Sequence, residues 1–248
     1  VTRALILALV LVAGCAEASR VGYFDDQAFY AVRQHYRIRY LPDARASRAL
    51  LGSEWRPLNL EFENGLPSQG RWTREDQTRI WLDHDGDGRG DLHTTGERFD
   101  LRFEHRQNGA SLLVRTSPIA ESLGERSVDV LVHDILDRVA GSTQQSGSVE
   151  VVRIVHEGPV RVGGADAYQA VFEGAALGPT GDVIATSTDR AQVVFVRPRT
   201  RWRDGGRSAP MIVSFWLVAR REHFDGLMPA LSSLLDRTDF RDHLDTAR

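Results

Sequence analysis

Alternation of apolar and charged residues marks the first strands of the chain. Tyr36, Ile38 and Tyr40 alternate with Arg37 and Arg39 before Pro42, and Leu60 and Phe62 alternate with Glu61 and Glu63 before Asn64-Gly65. A period of two is the signature of a half-buried strand, and Asn-Gly signals a hairpin turn. Two more strands are expected at Thr78–Leu82 and Phe99–Glu104, flanking a loop rich in glycine and aspartate. In the second of these, Phe99, Leu101 and Phe103 share one face, and Gln107-Asn108-Gly109 turns the chain into a strand at Ser111–Arg115. The period then changes. Val128, Leu131, Val132, Ile135, Leu136 and Val139 recur at three- and four-residue steps, which predicts a helix over Ser127–Ala140 capped by Ser127 and ended by Gly141. After a polar loop, Val151–Val155, Ala167–Phe172, Ala191–Val196 and Met211–Ala219 are four β-rich runs, the last two separated by the polar loop Arg197–Pro210. A closing helix presents Phe224, Leu227, Met228, Leu231, Leu234 and Leu235. Strands followed by a helix, twice over, predict an α+β fold: a mostly antiparallel sheet with two packed helices.

One apolar run belongs to no fold. Ala4–Ala13 follows Arg3 and ends at Gly14 and the only cysteine, Cys15. A membrane span needs about 20 apolar residues, so this shorter run reads as a secretory signal. Leu11-Val12-Ala13-Gly14-Cys15 resembles the lipobox of bacterial lipoproteins. That resemblance implies diacylation of Cys15 and cleavage before it, and two acyl chains suffice for stable anchoring. Residues 1–14 are then the signal, 15–25 a lipidated polar tether, 26–240 a single domain and 241–248 a polar tail. Ala16 after the cysteine, in place of Asp, implies an outer-membrane lipoprotein facing the periplasm if the cell is Gram-negative.

Composition narrows the class. A hydrophobic fraction of 42% supports a sizeable core, and a net charge of −3 with interspersed acids and bases excludes a nucleic-acid surface. Every basic side chain other than histidine is arginine. Once Cys15 is acylated no thiol remains, so neither disulfides nor a cysteine zinc site can stabilise the domain.

The sharpest chemical motif is Asp83-His84-Asp85-Gly86-Asp87-Gly88-Arg89-Gly90-Asp91. Acids at relative positions 1, 3, 5 and 9 with glycine at 6 resemble the opening of an EF-hand calcium loop. A hard cation wants six to eight oxygens, and Gly88 permits the sharp turn that makes alternate side chains converge. Asp83, Asp85, Asp87 and Asp91 would supply carboxylates and Arg89 its backbone carbonyl. Thr94 stands at position 12 in place of a bidentate Glu, a departure that weakens binding or hands the last ligand to Glu97 or Asp100, with affinity expected in the weak range of about 10⁻⁴–10⁻³ M. A plain hairpin turn is the competing reading, since Asp-Gly pairs are turn signals by themselves.

Other candidates are weaker. His84 and His93 lack partners at zinc-ligand spacing, and Asp129, His133, Asp134 and Asp137 read as the solvated face of the first helix. No nucleophile elbow, metalloprotease pair or phosphate-cradling loop occurs, and Gly163-Gly164 leads into a strand rather than a helix. Of the five tryptophans, Trp202 lies among Arg197, Arg199, Arg201 and Arg203. Arg199, Arg201 and Trp202 therefore form a candidate contact for an anionic partner, against the alternative of a solvated loop.

The second half carries a family resemblance. A strand ending near Val114, the helix at Ser127–Ala140, Val162-Gly163-Gly164-Ala165-Asp166-Ala167-Tyr168 leading into a strand, two long strands, then Glu222-His223-Phe224 and a helix ending in Thr238-Asp239-Phe240 resemble PsbP-like proteins over residues 99–240. The resemblance implies an α/β sandwich acting as a non-catalytic binding or adaptor domain, and transfers no site residues. A membrane-anchored adaptor for an envelope protein or small ligand, with a structural calcium ion, is the leading expectation. The alternative is an envelope enzyme or small-ligand-binding protein with a calcium-supported site, which would show a deep pocket with convergent polar groups.

Overall fold

The computed structural model describes residues 20–31, 36–71, 77–82, 92–97, 99–119, 121–133, 153–173, 176–177, 183–185, 189–204 and 207–240. In chain order the strands begin with β1 (Arg20–Phe24), β2 (Ala28–Ala31), β3 (Arg37–Arg39), β4 (Trp55–Pro57), β5 (Leu60–Glu63) and β6 (Leu66–Arg71). Next come β7 (Gln77–Leu82), β8 (Leu92–Glu97), β9 (Leu101–His105), β10 (Ser111–Pro118), β11 (Arg153–Val162) and β12 (Ala165–Glu173). The remainder are β13 (Ala176–Leu177), β14 (Val183–Ala185), β15 (Asp189–Val196), β16 (Trp202–Asp204), β17 (Arg207–Ala209), β18 (Met211–Arg220) and β19 (Thr238–Asp239). Helix α1 is described over 128–133, and α2 spans Arg221–Asp236.

Two antiparallel sheets face each other, in the order β19-β3-β2-β1-β6-β5 and β11-β12-β15-β18-β10-β9-β4. The expected α+β class with a mostly antiparallel sheet and two helices is what the chain forms. The seven-stranded sheet is the middle layer because it is apolar on both faces. In β18, Val213, Phe215 and Leu217 join the core shared with Phe29 and Ile38 of the six-stranded sheet and with Phe224, Leu231 and Leu234 of α2. The alternate residues Ile212, Trp216 and Val218 join a second core under Leu131 and Val132 of α1. A continuous apolar run such as Met211–Ala219 suits a strand covered on both sides.

Buried polar groups tie the layers. Tyr36 is buried in front of β3 and donates its hydroxyl to Asp100 Oδ2 at 2.9 Å, while Thr116 Oγ1 of β10 reaches the same oxygen at 2.6 Å. Burial first, and the Asp100 charge second, push the Tyr36 hydroxyl well above the usual tyrosine range. Arg237, just after α2, donates to the carbonyls of Ser233, Arg39 and Leu50, joining helix, β3 and the 41–50 loop. Burial lowers its pKa to about 10, so it remains charged at neutral pH.

Several expectations need correction. Residues 20–24, given to the tether, form β1, which lies between β2 and β6 inside the six-stranded sheet. Arg20–Phe24 therefore belong to the fold rather than to a tether. The strand that pairs with β7 is β8, not Phe99–Glu104, with Leu82 facing Leu92 and Gln77 facing Glu97. Glu97 is thus at the far end of the hairpin from the aspartate loop, five residue steps or about 17 Å from Leu92, which removes it as the last ligand. Asp100 is removed as well, since its carboxylate is buried against Tyr36 and Thr116. The polar Arg197–Pro210 stretch contains the small hairpin β16–β17. The Asn64-Gly65 turn is as expected, both residues having positive φ, 52° and 79°.

Replacing Tyr36 by Phe leaves Asp100 short of one donor in a buried site. A loss of about 1–3 kcal/mol is expected, read as a lower denaturation midpoint with an unchanged denaturant slope.

Candidate binding cleft

One end of the sandwich holds a cleft of about 1180 Å³. The β11–β12 turn forms one wall, the segment Glu121–Asp129 leading into α1 forms another, and Arg197–Arg201 with Pro210 closes it beside Phe240. The turn is fixed by its glycines. Gly163 has φ +55°, and a Cβ there would lie 2.5 Å from the Thr238 carbonyl oxygen, so only glycine lets the turn rest on β19.

The segment before α1 is clasped from across the cleft. Ile119 N donates to the Pro210 carbonyl at 2.8 Å, Arg197 donates to the Arg126 carbonyl, and Arg201 Nη2 meets Glu121 Oε2 at 2.6 Å. Arg201 Nε also donates to Ser208 Oγ at 3.0 Å, and the Glu121 carboxylate raises the Arg201 pKa. On the opposite wall Arg161 pairs with Asp166 at 3.4 Å and donates to the Gly164 carbonyl at 3.3 Å. Arg199 stands exposed on the rim. Thr200 Oγ1 is buried with no hydrogen-bond partner among the described residues.

Beside the cleft, α1 is latched to β11. His133 Nδ1 donates to the Asp129 carbonyl at 2.7 Å, and Nε2 lies 3.4 Å from Glu157 Oε2. Its ring meets the Tyr168 ring edge-on, with centroids 5.5 Å apart. The Asp129 carbonyl, followed by the Glu157 charge, raises the His133 pKa above the ordinary histidine value. A hydrogen bond from Ser127 lowers that of Asp129, and burial followed by Glu157 raises that of Tyr168.

Of the residues singled out in the sequence, the structure brings Arg199 and Arg201 to this cleft and places Trp202 at the start of β16. Cys15, Asp83, His84, Asp85, Asp87, Arg89, Asp91, Asp134 and Asp137 lie outside the described residues, as do residues 241–248. Trp55 and Trp216 are core residues, Trp55 packing edge-on to His105 at 5.2 Å. Among the described residues no three His, Cys, Asp or Glu side chains are placed to hold a metal ion. Sequence reasoning missed Glu121, Arg161 and Asp166. The Arg161–Asp166 pair straddles a Gly-Gly turn and was open to discovery from that pattern, whereas Glu121 meets Arg201 from 80 residues away.

No family model matches the chain, and no curated protein matches it. Among solved structures it is similar to cyanobacterial PsbP (CyanoP) from Synechocystis sp. PCC 6803, with 12% identity, 87% of this chain and 92% of that chain covered, and a TM-score of 0.43. It is also similar to LpqN of Mycobacterium tuberculosis, a protein involved in cell envelope biogenesis, with 10% identity, coverage of 76% and 79%, and a TM-score of 0.39. A protein of unknown function from Pseudomonas aeruginosa gives 12% identity, coverage of 71% and 92%, and a TM-score of 0.33. Among the described residues no helix is long and apolar enough to cross a membrane.

The His133 latch predicts a pH dependence. A raised folded-state pKa contributes stability that is full below the unfolded value and is lost as pH rises through the folded one. Replacing His133 by Ala should therefore lower Tm at pH 5.5 and change it least at pH 8.5, as read by thermal melts at both values.

Proposed function

We propose that the chain is an envelope-anchored, non-catalytic binding domain. Diacylation of Cys15 holds it at the membrane, on the periplasmic face of the outer membrane in a Gram-negative cell. Another envelope component docks through Arg199 and Arg201 at the cleft and through Trp202, the next residue along the chain. The observation that carries this reading is the cleft itself, whose arginines are held in place by pairs such as Arg201–Glu121 and Arg161–Asp166. Such a lining presents ordered donors to a polar partner at little additional entropic loss. Crosslinking of the acylated full chain in its native membranes tests it. An adduct lost when Arg199 and Trp202 are both replaced by Ala, with Tm retained, is the expected result; an adduct indifferent to the double variant overturns the placement.

The aspartate loop is proposed as a structural calcium site formed by Asp83, Asp85, Asp87, the Arg89 carbonyl and Asp91. The hairpin register supports it: Leu82 pairs with Leu92, so Asp83 directly follows and Asp91 directly precedes the final cross-strand pair. The strands that lead into and out of the loop are thus paired at Leu82 and Leu92, as convergence of its carboxylates on one ion requires. A bound cation would relieve their mutual repulsion and hold the hairpin closed. At 10 mM calcium and the weak affinity expected, stabilisation of about 1.4–2.7 kcal/mol follows from mass action. Thermal melts with calcium and with chelator should show that gain in the native chain and lose it in Asp85→Ala/Asp87→Ala. A native chain indifferent to calcium rules the site out.

A further inference from the structure

His133 stands between two acceptors. Its Nδ1 lies 2.7 Å from the Asp129 carbonyl oxygen, one turn back in α1, and its Nε2 lies 3.4 Å from Glu157 Oε2 of β11. A neutral imidazole donates from one nitrogen only, whereas the imidazolium donates from both. The two contacts are therefore favourable together only in the charged ring. On the β11 side, Glu157 Oε2 is buried with no hydrogen-bond partner among the described residues, and the His133 charge is what faces it. Loss of the proton sets a lone pair against that oxygen, and an unmatched buried acceptor is costly.

Three elements present ionisable groups to the ring: α1 through Asp129, β11 through Glu157, and β12 through Tyr168, which meets it edge-on. The Asp129 pKa is lowered and the Tyr168 pKa raised, so neither group titrates between pH 5.5 and 8.5. His133 does, its unperturbed value being about 6.5. What it holds bears on the cleft, which Ser127, Val128, Asp129 and Tyr168 line. Leu131 and Val132 fix the body of α1 in the second core, but Glu125, Arg126, Ser127 and Asp129 are exposed. The ties of Ile119, Glu121 and Arg126 described above run across the cleft to the 197–210 segment. His133 supplies a tie on the other side, to β11, and breaking it removes that restraint.

We propose that His133 is a proton-operated latch on the cleft: its imidazolium ties the start of α1 to β11, and deprotonation at rising pH frees the Glu121–Asp129 wall. The inference rests on the reading of the cleft as the binding site and supplies its regulation, since an occupant that needs the wall in place is coupled to the proton by reciprocal linkage. Hydrogen exchange of the full chain tests it, read by mass spectrometry on peptides covering residues 121–133 and corrected for the intrinsic pH dependence of amide exchange. Protection of that segment should fall several-fold between pH 5.5 and 8.5, while peptides from β15 and β18 keep theirs. His133→Gln, which cannot take up the proton, should show the low protection at both pH values, and Glu157→Gln should flatten the change. A native segment equally protected at both values, or a pH change that persists in His133→Gln, overturns the latch. So does a His133 ring resonance in the native chain, assigned by its absence from His133→Gln, that titrates at or below about 6.5. Crosslinking separates this inference from the reading beneath it. An adduct whose yield follows the same pH change supports the coupling, and one indifferent to pH overturns it; no adduct at either pH counts against the cleft as a docking site and leaves the exchange result to decide the latch.

Discussion

Burial of β18 on both faces is the constraint around which the molecule is arranged. Nine consecutive residues from Met211 to Ala219 are withdrawn from water, and each fully buried large apolar side chain contributes about 1.5–3 kcal/mol. That burial requires a layer on either side. The six-stranded sheet and α2 cover the face bearing Phe215 and Leu217, and α1 covers the face bearing Trp216 and Ile212. Ser214, the polar interruption, is satisfied internally by accepting a hydrogen bond from Trp216 Nε1 at 3.0 Å. Long ladders with β10 and β15 then satisfy the strand's own backbone.

Apolar packing alone would allow the two sheets to slide, and the buried polar ties restrict that freedom. Tyr36, Asp100 and Thr116 meet at one oxygen, and Asn59 accepts from the Arg102 amide while donating to the Asp100 carbonyl at 3.1 Å. Arg237 is held by three carbonyls from separate segments rather than by a carboxylate. Because an unmet buried donor is costly, each of these ties selects one registration of the layers. That registration sets β19 beneath the Gly163 turn, and so gives the cleft its wall.

The cleft's charges are arranged differently from those of the core. Its arginine–carboxylate pairs are exposed, so each is worth little to stability. Their effect is to hold the segment before α1 across the end of the sandwich and to keep the donors in fixed directions. They join features that are remote from one another in sequence: the β11–β12 turn, the segment before α1 and the Arg197–Arg201 loop.

The sequence by itself determined what depends on local periodicity. The alternation in β9 and β10, the apolar run of β18, the helical spacing of α2 and the Asn64-Gly65 turn are properties of neighbouring residues, and each fold element followed from them. Tertiary structure decided what depends on a distant partner. β1 contains glycine, β8 reads Leu-His-Thr-Thr-Gly-Glu, and β19 has only two residues; each is a strand because another strand offers it a ladder. Arg199 and Arg201 were legible as a clustered charge, but the Arg201–Glu121 contact spans 80 residues and the Tyr36–Asp100 contact spans 64. Asp100, a metal-ligand candidate in the sequence, became a structural acceptor for the same reason: a carboxylate's role is set by what packs against it, and the chain order does not record that.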